Sequence, residues 1–560
     1  MNRRPSLGRR AFLGGMLGVA GTAALASCGG GTTANVVASC VSGLNLPITK
    51  PPAKDGAHFS KVPNVPVAWT KYPTPWKSWT GDPPAKGGSI SAFEILWGAP
   101  PPPVQHNPWW QSLNKQLGAS YQVIMAAAGD YPDKLSTLAA SGSFPDITYI
   151  NFSVGGTSGS TSAAFEKYVD EGAFHDLTPY LTGSGLKEFP NLQRLPKLCW
   201  QDAAFEGKIF GPPYPIPPID GMPIYRKDWA QKLGVDNPKN AQDLKKMFTA
   251  FAKGDPNKSG KQDTWSFGEM DTQTLAMVFH VPNNWKLDSK GKLTKDIETD
   301  EYKRSLDFAH QLWNAGAYHP DVLTNTYNFD YPAIESGHIG YQFSAIVAEW
   351  DTGGIVPTTE KQVKGAKMDY LPLPGADGGS ATYWTGSSAY GFYGIPSSIK
   401  SEKRVKELLH VLDWWTPPFG SEEFTFIEYG IEGLMYKMVD GVPTATSNQA
   451  VQGYPSGINY MCQPLEINFY YVGAPQNALL AQRVEGEMLE KAISDPTTGL
   501  YSPTDVSQGA ALDQMIQDNY NNVLVGRQPL SSLDDMISSW KSQGGEQIRT
   551  EYQKALSKCK

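Results

Sequence analysis

The chain has 560 residues, 40% hydrophobic and 18% charged, with a formal net charge of −7. That length needs more than one hydrophobic core, and the apolar content excludes a disordered chain. The acidic balance excludes polyanions such as nucleic acid as favoured partners.

Residues 1–27 carry Arg3, Arg4, Arg9 and Arg10 and no acid, followed by the apolar stretch "AFLGGMLGVAGTAALAS", too short and Gly-rich for a comfortable spanning helix. This reads as an export signal. Within it "GRRAFL" (8–13) fits the twin-arginine pattern, and "LASC" (25–28) resembles a lipobox, which implies cleavage before Cys28 and diacylation of its sulfur. The acyl chains would hold the mature protein on the outer face of the cell membrane, and the net charge would move to about −11 on loss of the four arginines. From 28 to 88, "PPAKDG", "YPTPW" and "GDPPAKGG" interrupt any hydrogen-bond ladder, so the segment reads as a tether. Trp69, Trp76 and Trp79 predict that its later half packs onto the body. Cys40, Cys199, Cys462 and Cys559 form no C-x-x-C, and three pairings are open, Cys40 with Cys559 and Cys199 with Cys462 among them.

Regular structure is predicted to begin at "SAFEILWG" (91–98), a β-type run ending in Gly. In "NPWWQSLNKQLG" Asn107 can cap a helix, Pro108 suits its first turn, Trp109, Leu113 and Leu117 share one face, and Gly118 ends it. A strand "YQVIMAA", a helix over "DYPDKLSTLAASG" and a strand "DITYI" (146–150) follow. This βαβαβ order dictates parallel strands with right-handed crossovers and puts a ligand crevice beyond the strands' carboxyl ends: Trp97 with Gly98, Gly129 with Asp130, Asn151 with Phe152.

A proline-dense segment (205–220) leads into the β-like "MPIYR". "NAQDLKKMFTAFAKG" (240–254) places Leu244, Met247, Phe248 and Phe251 at i, i+3, i+4 and i+7, and "TDEYKRSLDFAHQLWNAG" (299–316) repeats the pattern. "AYGFYGIP" (389–396) reads as a strand, "SEKRVKELLHVLDWW" as a helix, and the tail from 531 as two helices broken at Gly544 and Gly545. Trp109, Trp313, Trp414 and Trp415 keep helical spacing with Leu partners and are assigned to cores.

"DPNKSGKQD" gathers oxygens at Asp255, Asn257, Ser259 and Asp263, with Gly260 at the turn and the Lys261 carbonyl within reach. This is most of a calcium loop, but the bidentate Glu of an EF-hand is replaced by Ser266, and a polar Asx-type turn explains the same residues. There is no G-x-S-x-G, no H-E-x-x-H, and the eight His have no ligand spacing. A glycosidase needs only two carboxylates facing a sugar, and Glu432 in "YGIEG" is the first such candidate, alongside a role in bracing its turn.

The ordered set "GDYPDKLSTLAASGSFPDI" (129–147), "YRKDWAQKLGVDNPKNAQD" (225–243), "DPNKSGKQDT" (255–264), "DEYKRSLDFAHQLWNAGAYHPD" (300–321), "LPLPGADGG" (371–379) and "EYGIEGLMYKMVDG" (428–441) resembles the extracellular solute-binding lipoproteins of carbohydrate ABC transporters, especially the long oligosaccharide-binding subgroup that includes alginate-oligosaccharide binders. The resemblance runs from about Phe93 to the C-terminus. It implies an α/β periplasmic-binding-protein fold of two lobes, type II-like, joined by crossing strands near 205–220 and 375–388, with re-entry into the second lobe at 445–455. The expected division is lobe 1 at 89–210 and 380–450, lobe 2 at 211–379 and 451–530, and C-terminal helices at 531–560. Related binders hold calcium in a loop like 255–263, with Thr264 here in place of a second acid, so any Ca2+ would be structural. The implied function is capture of an oligosaccharide without chemical change, by a monomer that hands it to the transmembrane subunits of an ABC permease. An anchored glycan-degrading enzyme, or the same fold binding a peptide or other solute, are the competing readings.

A sugar offers hydroxyls and apolar C–H faces, so its site needs flat aromatic rings and planar polar groups. Strand-end logic selects Trp97, His106, Asp130, Asn151 and Phe152. Position in the resemblance adds Tyr214, Asp220, Trp350, Trp384, Phe469 and Tyr470, with Trp350 and Trp384 favoured because each sits among small or polar residues.

Overall fold

The computed structural model describes residues 41–558 except 42, 153–166, 220, 326, 346–348, 352 and 462–466. The export signal, Cys28, Cys40, Asp220, Cys462 and Cys559 lie outside the described residues. The main strands are β1 (Ser89–Leu96), β2 (Ser120–Ala127), β3 (Ile147–Asn151), β4 (Pro213–Pro215), β5 (Gly221–Arg226), β6 (Tyr341–Ala345), β7 (Met368–Tyr370) and β8 (Ala389–Gly394). The main helices are α1 (Pro108–Leu117), α2 (Tyr131–Ser141), α3 (Ala241–Lys253), α4 (Asp300–Asn314), α5 (Glu402–Trp414), α6 (Pro475–Leu489), α7 (Pro503–Leu524), α8 (Ser532–Trp540) and α9 (Glu546–Lys558).

The first lobe holds a five-stranded sheet in the order β2-β1-β3-β8-β4. β1 pairs in parallel with β2 and β3, as short βαβ connections require, and β8 returns antiparallel to β3 and β4. The local signals account for the helices between them. Asn107 accepts from the Trp110 backbone N–H, Gly118 takes the left-handed conformation at the end of α1, and Trp109, Leu113 and Leu117 are buried. Asp130 precedes α2 but makes no side-chain capping bond. In the second lobe β5 lies between β6 and β7, antiparallel to both. Asn240 caps α3 through the Asp243 N–H, and the helix buries Leu244, Met247, Phe248 and Phe251. Each such side chain contributes about 1.5–3 kcal/mol of transfer free energy.

Two large cores separate along the chain. The first runs from Val41 through Ile216 and again from Ala389 to Ile467; the second takes Ile219 to Trp384 and Phe469 to Leu556. The chain therefore passes between lobes at 216–219, 385–388 and 467–469. The third passage falls later than 445–455, because Val451, Ile458 and Met461 are buried in the first core. The first two passages run side by side: Ile216 N donates to Ser388 O and Gly386 N to Pro218 O, both at 2.9 Å. Ser388 N also donates to Asp202 at 2.6 Å, and burial, with Asp495 nearby, pushes the Asp202 carboxyl up to about 7.

Much of the Pro-rich segment before β1 is packed. Strand Val67–Trp69 pairs with Asn468–Tyr470, and Trp69 and Tyr72 join Phe419 and Phe424 in a third apolar cluster. The C-terminal helices α8 and α9 belong to the second core through Leu533, Trp540, Tyr552 and Leu556. Cys199 is a free, buried thiol whose Sγ donates to the Pro196 carbonyl, which removes its pairing with Cys462.

Candidate functional site

The two sheets present comparable edges where the crossing segments leave them. In the first lobe β3 ends at Asn151, whose side-chain amide donates to the Tyr149 hydroxyl at 2.9 Å and whose backbone N–H donates to the Tyr131 hydroxyl at 3.1 Å. Phe152 N continues the ladder to Tyr390 O at 2.8 Å. Tyr214, at the end of the sheet, has ring centroids of Tyr390 at 5.7 Å, Tyr149 at 6.2 Å and Tyr460 at 6.3 Å, the last nearly parallel at 19°. Tyr393 stacks on Tyr149 at 4.8 Å and donates its hydroxyl to the Tyr460 carbonyl. Tyr149 and Tyr214 are buried, whereas Tyr390, Tyr460 and Trp97 are half-buried. A buried ring layer thus braces Tyr390 and Tyr460, which retain exposed surface, while Trp97 packs half-buried against the first core. Burial raises the Tyr131 and Tyr149 phenols well above their ordinary range, so both stay neutral hydrogen-bonding groups.

The second-lobe edge is built from a segment the pattern reading passed over. Trp265–Phe267 bridges in parallel to Ile339 and Tyr318, and Tyr341 N donates to Ser266 O at 3.1 Å, so this run extends the second sheet beyond β6. It ends, as β3 does, at the sheet edge, in Gly268, Glu269, Met270 and Asp271, of which the two acids are polar. Glu269 accepts from the Gln342 amide at 3.2 Å. Asp271 accepts from Thr274 N at 2.9 Å, and the Thr274 hydroxyl lies 2.6 Å from that of Tyr341. Asp330 is pressed onto Gly268 so closely that a Cβ there would meet its Oδ1 at 1.9 Å, which explains the glycine. Burial raises both Asp271 and Asp330, and repulsion from Glu269 and Asp271 adds to the rise at Asp330. Beside them Tyr331 bridges Ser344 (2.7 Å) and Glu349 (3.0 Å). The sequence signal was "WSFGEMD", a β-type run closed by Gly and acids, but three residues are too few to display alternation.

Of the residues expected from sequence, Trp97 and Asp130 lie at the first-lobe edge with exposed surface, whereas Asn151, Phe152 and Tyr214 stand at the same edge buried at 6%, 6% and 4% exposure and back that surface from within. His106 joins them on the exposed turn Val104–His106, where the adjoining Asn107 amide donates to Tyr454 O at 2.8 Å. Four others are corrected. Trp384 is 2% exposed in the second core, with its indole N–H donated to Val281 O at 3.1 Å. Trp350 is 5% exposed in the same core, its N–H on Met222 Sδ at 2.9 Å. Phe469 is fully buried there, and Tyr470 packs in the third cluster against Tyr72 and Phe419 at 5.6 and 5.3 Å. Neighbouring small residues did not signal exposure for either Trp, because the partners that bury them come from distant parts of the chain. Glu432 is exposed on the turn before the hairpin Tyr436–Ala445.

The loop after α3 is compact and mostly exposed, and it precedes the run Trp265–Phe267. Ser259 N and Gly260 N donate to Asp255 at 2.9 and 3.2 Å; the Asn257 amide and Ser259 hydroxyl donate to Asp263 at 3.0 and 2.8 Å, holding its carboxyl below the ordinary range. The donors are all oxygens, including the Lys261 carbonyl 3.4 Å from Ser259 Oγ, a set that suits a hard cation. Only two are carboxylates, and among the described residues no cluster of three or more His, Cys, Asp or Glu is spaced to hold a metal. No described helix is long and apolar enough to cross a membrane.

No family model matches the chain. It is 26% identical over 482 residues to Lipoprotein LipO of Bacillus subtilis (strain 168), covering 82% of this chain and 91% of that one. It is 25% identical over 440 residues to the polygalacturonan/rhamnogalacturonan-binding protein YtcQ of the same organism, covering 76% and 84%. In three dimensions it matches the ABC-transporter substrate binding protein FusA of S. pneumoniae in complex with kestose, with a TM-score of 0.58, 17% identity, and coverage of 84% of this chain and 99% of that one; an EF-hand mutant of FusA has a similar fold match. The two-lobed solute-binding fold is thereby shown, as is the chain's similarity to this group of proteins along most of its length.

Proposed function

We propose that this protein captures an oligosaccharide outside the cell, between the two sheet edges, and delivers it unchanged to an ABC permease. The observation that carries the reading is the pairing of half-buried Trp97, Tyr390 and Tyr460 on one lobe with the carboxylate and amide groups of Glu269, Asp271 and Gln342 on the other. Rings supply flat apolar surface for sugar C–H faces, and the polar edge supplies acceptors and donors for hydroxyls. Because the two edges belong to different lobes, closure about the three crossings would bring both onto one ligand, and the closed form is what a permease could recognise. YtcQ supports the reading by its printed name, FusA by its name and its fold, and LipO by its name supports a lipid anchor. Cys28 would anchor the mature chain by its acyl groups, keeping the receptor near the permease at high effective concentration. The protein acts as a monomer and performs no catalysis on its ligand.

The test is calorimetric titration of the mature protein with a panel of oligosaccharides, followed by chromatography of the recovered ligand. Binding with the glycan returned intact is the expected result. Shortened products on prolonged incubation would favour the glycan-degrading alternative, and binding of peptides alone would favour the other. For the loop 255–263, Asp255, Asn257, Ser259, Asp263 and the Lys261 carbonyl would hold Ca2+ in a structural role. The expected result is a rise in melting temperature on adding calcium that Asp263→Ala abolishes.

A further inference from the structure

We infer that the glycan this protein holds carries no carboxylate, sulfate or phosphate groups, an inference that rests on the glycan-capture reading and specifies its ligand. The observation is the charge of the described segments that leave the strand ends at the two sheet edges or link the lobes there: 97–107, 127–130, 151–152, 214–221, 268–274, 325–330, 344–354, 385–390 and 451–467. Their described residues include Asp130, Glu269, Asp271, Asp330, Glu349 and Asp351, one histidine, His106, and not one Lys or Arg. At the chain's overall frequency of 48 Lys and Arg in 560 residues, segments of this combined length would carry about five.

Anionic sugars are bound by guanidinium or ammonium groups, or by free backbone N–H groups at helix ends, because a desolvated anion without such partners is costly. Here Thr274 N already serves Asp271, and the first turn of α2 carries Asp133, a like charge for any anion approaching that helix end. A second, independent feature points the same way. Asp330 and Gln342, 1% and 6% exposed, each bury a side-chain oxygen with no hydrogen-bond partner beside Glu269 and Asp271. These buried oxygens add lone-pair density behind Glu269 and Asp271, which disfavours a further carboxylate at this edge. The distinction is sharp because YtcQ, similar over three-quarters of this chain, is by name a binder of polygalacturonan and rhamnogalacturonan.

The experiment is a matched-pair titration of the mature protein. Neutral oligosaccharides of several linkages are screened, and the tightest binder is then compared with its own C6-carboxylated derivative. The acidic form should bind at least about tenfold more weakly, the effect of a like charge within roughly 10 Å at an effective dielectric near 20, and the gap should narrow in high salt. Glu269→Gln with Asp271→Asn should shrink the ratio between the two forms several-fold. Equal or tighter binding of the acidic form, or binding of acidic glycans alone, overturns the inference while leaving glycan capture standing. Failure of every glycan, neutral or acidic, overturns the capture reading itself.

Discussion

Replacing Trp384 separates a core role from a ligand-binding role. Trp384 is buried in the second core, its strand Tyr383–Trp384 pairs with Ala492–Ile493, and its indole N–H satisfies the Val281 carbonyl. Trp384→Ala removes a large buried ring, which costs about 3–5 kcal/mol, and orphans a buried acceptor, worth about 1–3 kcal/mol more. The sum is a large share of the 5–15 kcal/mol that typically holds a domain folded. Trp384→Phe keeps most of the volume and loses chiefly the hydrogen bond, so it should cost about 1–2 kcal/mol and leave the second lobe folded. Tyr460→Ala is the control: its ring is half-buried and its carbonyl, which accepts from Tyr393, survives the change. It should cost little stability and lower ligand affinity about three- to tenfold, the value of one stacking contact. Urea unfolding followed by circular dichroism, with each lobe's transition fitted separately, gives the stabilities, and calorimetry gives the affinities. A Trp384→Phe variant of unchanged stability that loses as much affinity as Tyr460→Ala would refute the assignment of this side chain to the core.

Glu94 lies on β1, an interior strand of the first sheet, fully buried with no hydrogen-bond partner on either oxygen, and burial raises its carboxyl well above the ordinary range. Its contribution is intact below the unfolded-state value and is lost as pH rises toward the folded-state value, so Glu94→Met should flatten the fall in stability with pH and stabilise the protein at neutral pH by about 1–3 kcal/mol, measured by melts across pH. Asp202, raised to about 7, acts with the same sign between about pH 4 and 7, a span worth up to about 4 kcal/mol, and Asp202→Asn should remove that part of the slope. Gly268→Ala forces a Cβ against Asp330 Oδ1 and should lower stability by about 1–3 kcal/mol, with partial recovery in Gly268→Ala/Asp330→Ala by thermal melting.

Legibility followed the range of the forces involved. Helix limits were readable at Asn107–Gly118 and at Asn240–Gly254, because caps and side-chain periodicity act over one or two turns. The first-lobe edge was readable for the same reason: short βαβ connections leave one strand direction, so Trp97, Asn151 and Phe152 had to emerge together. The second-lobe edge was not, since Trp265–Phe267 becomes a sheet segment only by pairing with residues more than fifty positions away. The favoured tryptophans failed on the same ground, as burial of Trp350 and Trp384 depends on Met222 and Val281.

The amino-acid sequence by itself determined the parallel opening of the first sheet, the principal helices and the acidic balance of the whole, all properties of neighbouring residues or of composition. Only the tertiary structure decided which aromatic rings face solvent, where the third crossing falls, and that segments carrying acids but no Lys or Arg among their described residues come to the two sheet edges. Those outcomes depend on contacts between residues far apart in the chain, whose free energy exists only once the two cores have closed around them.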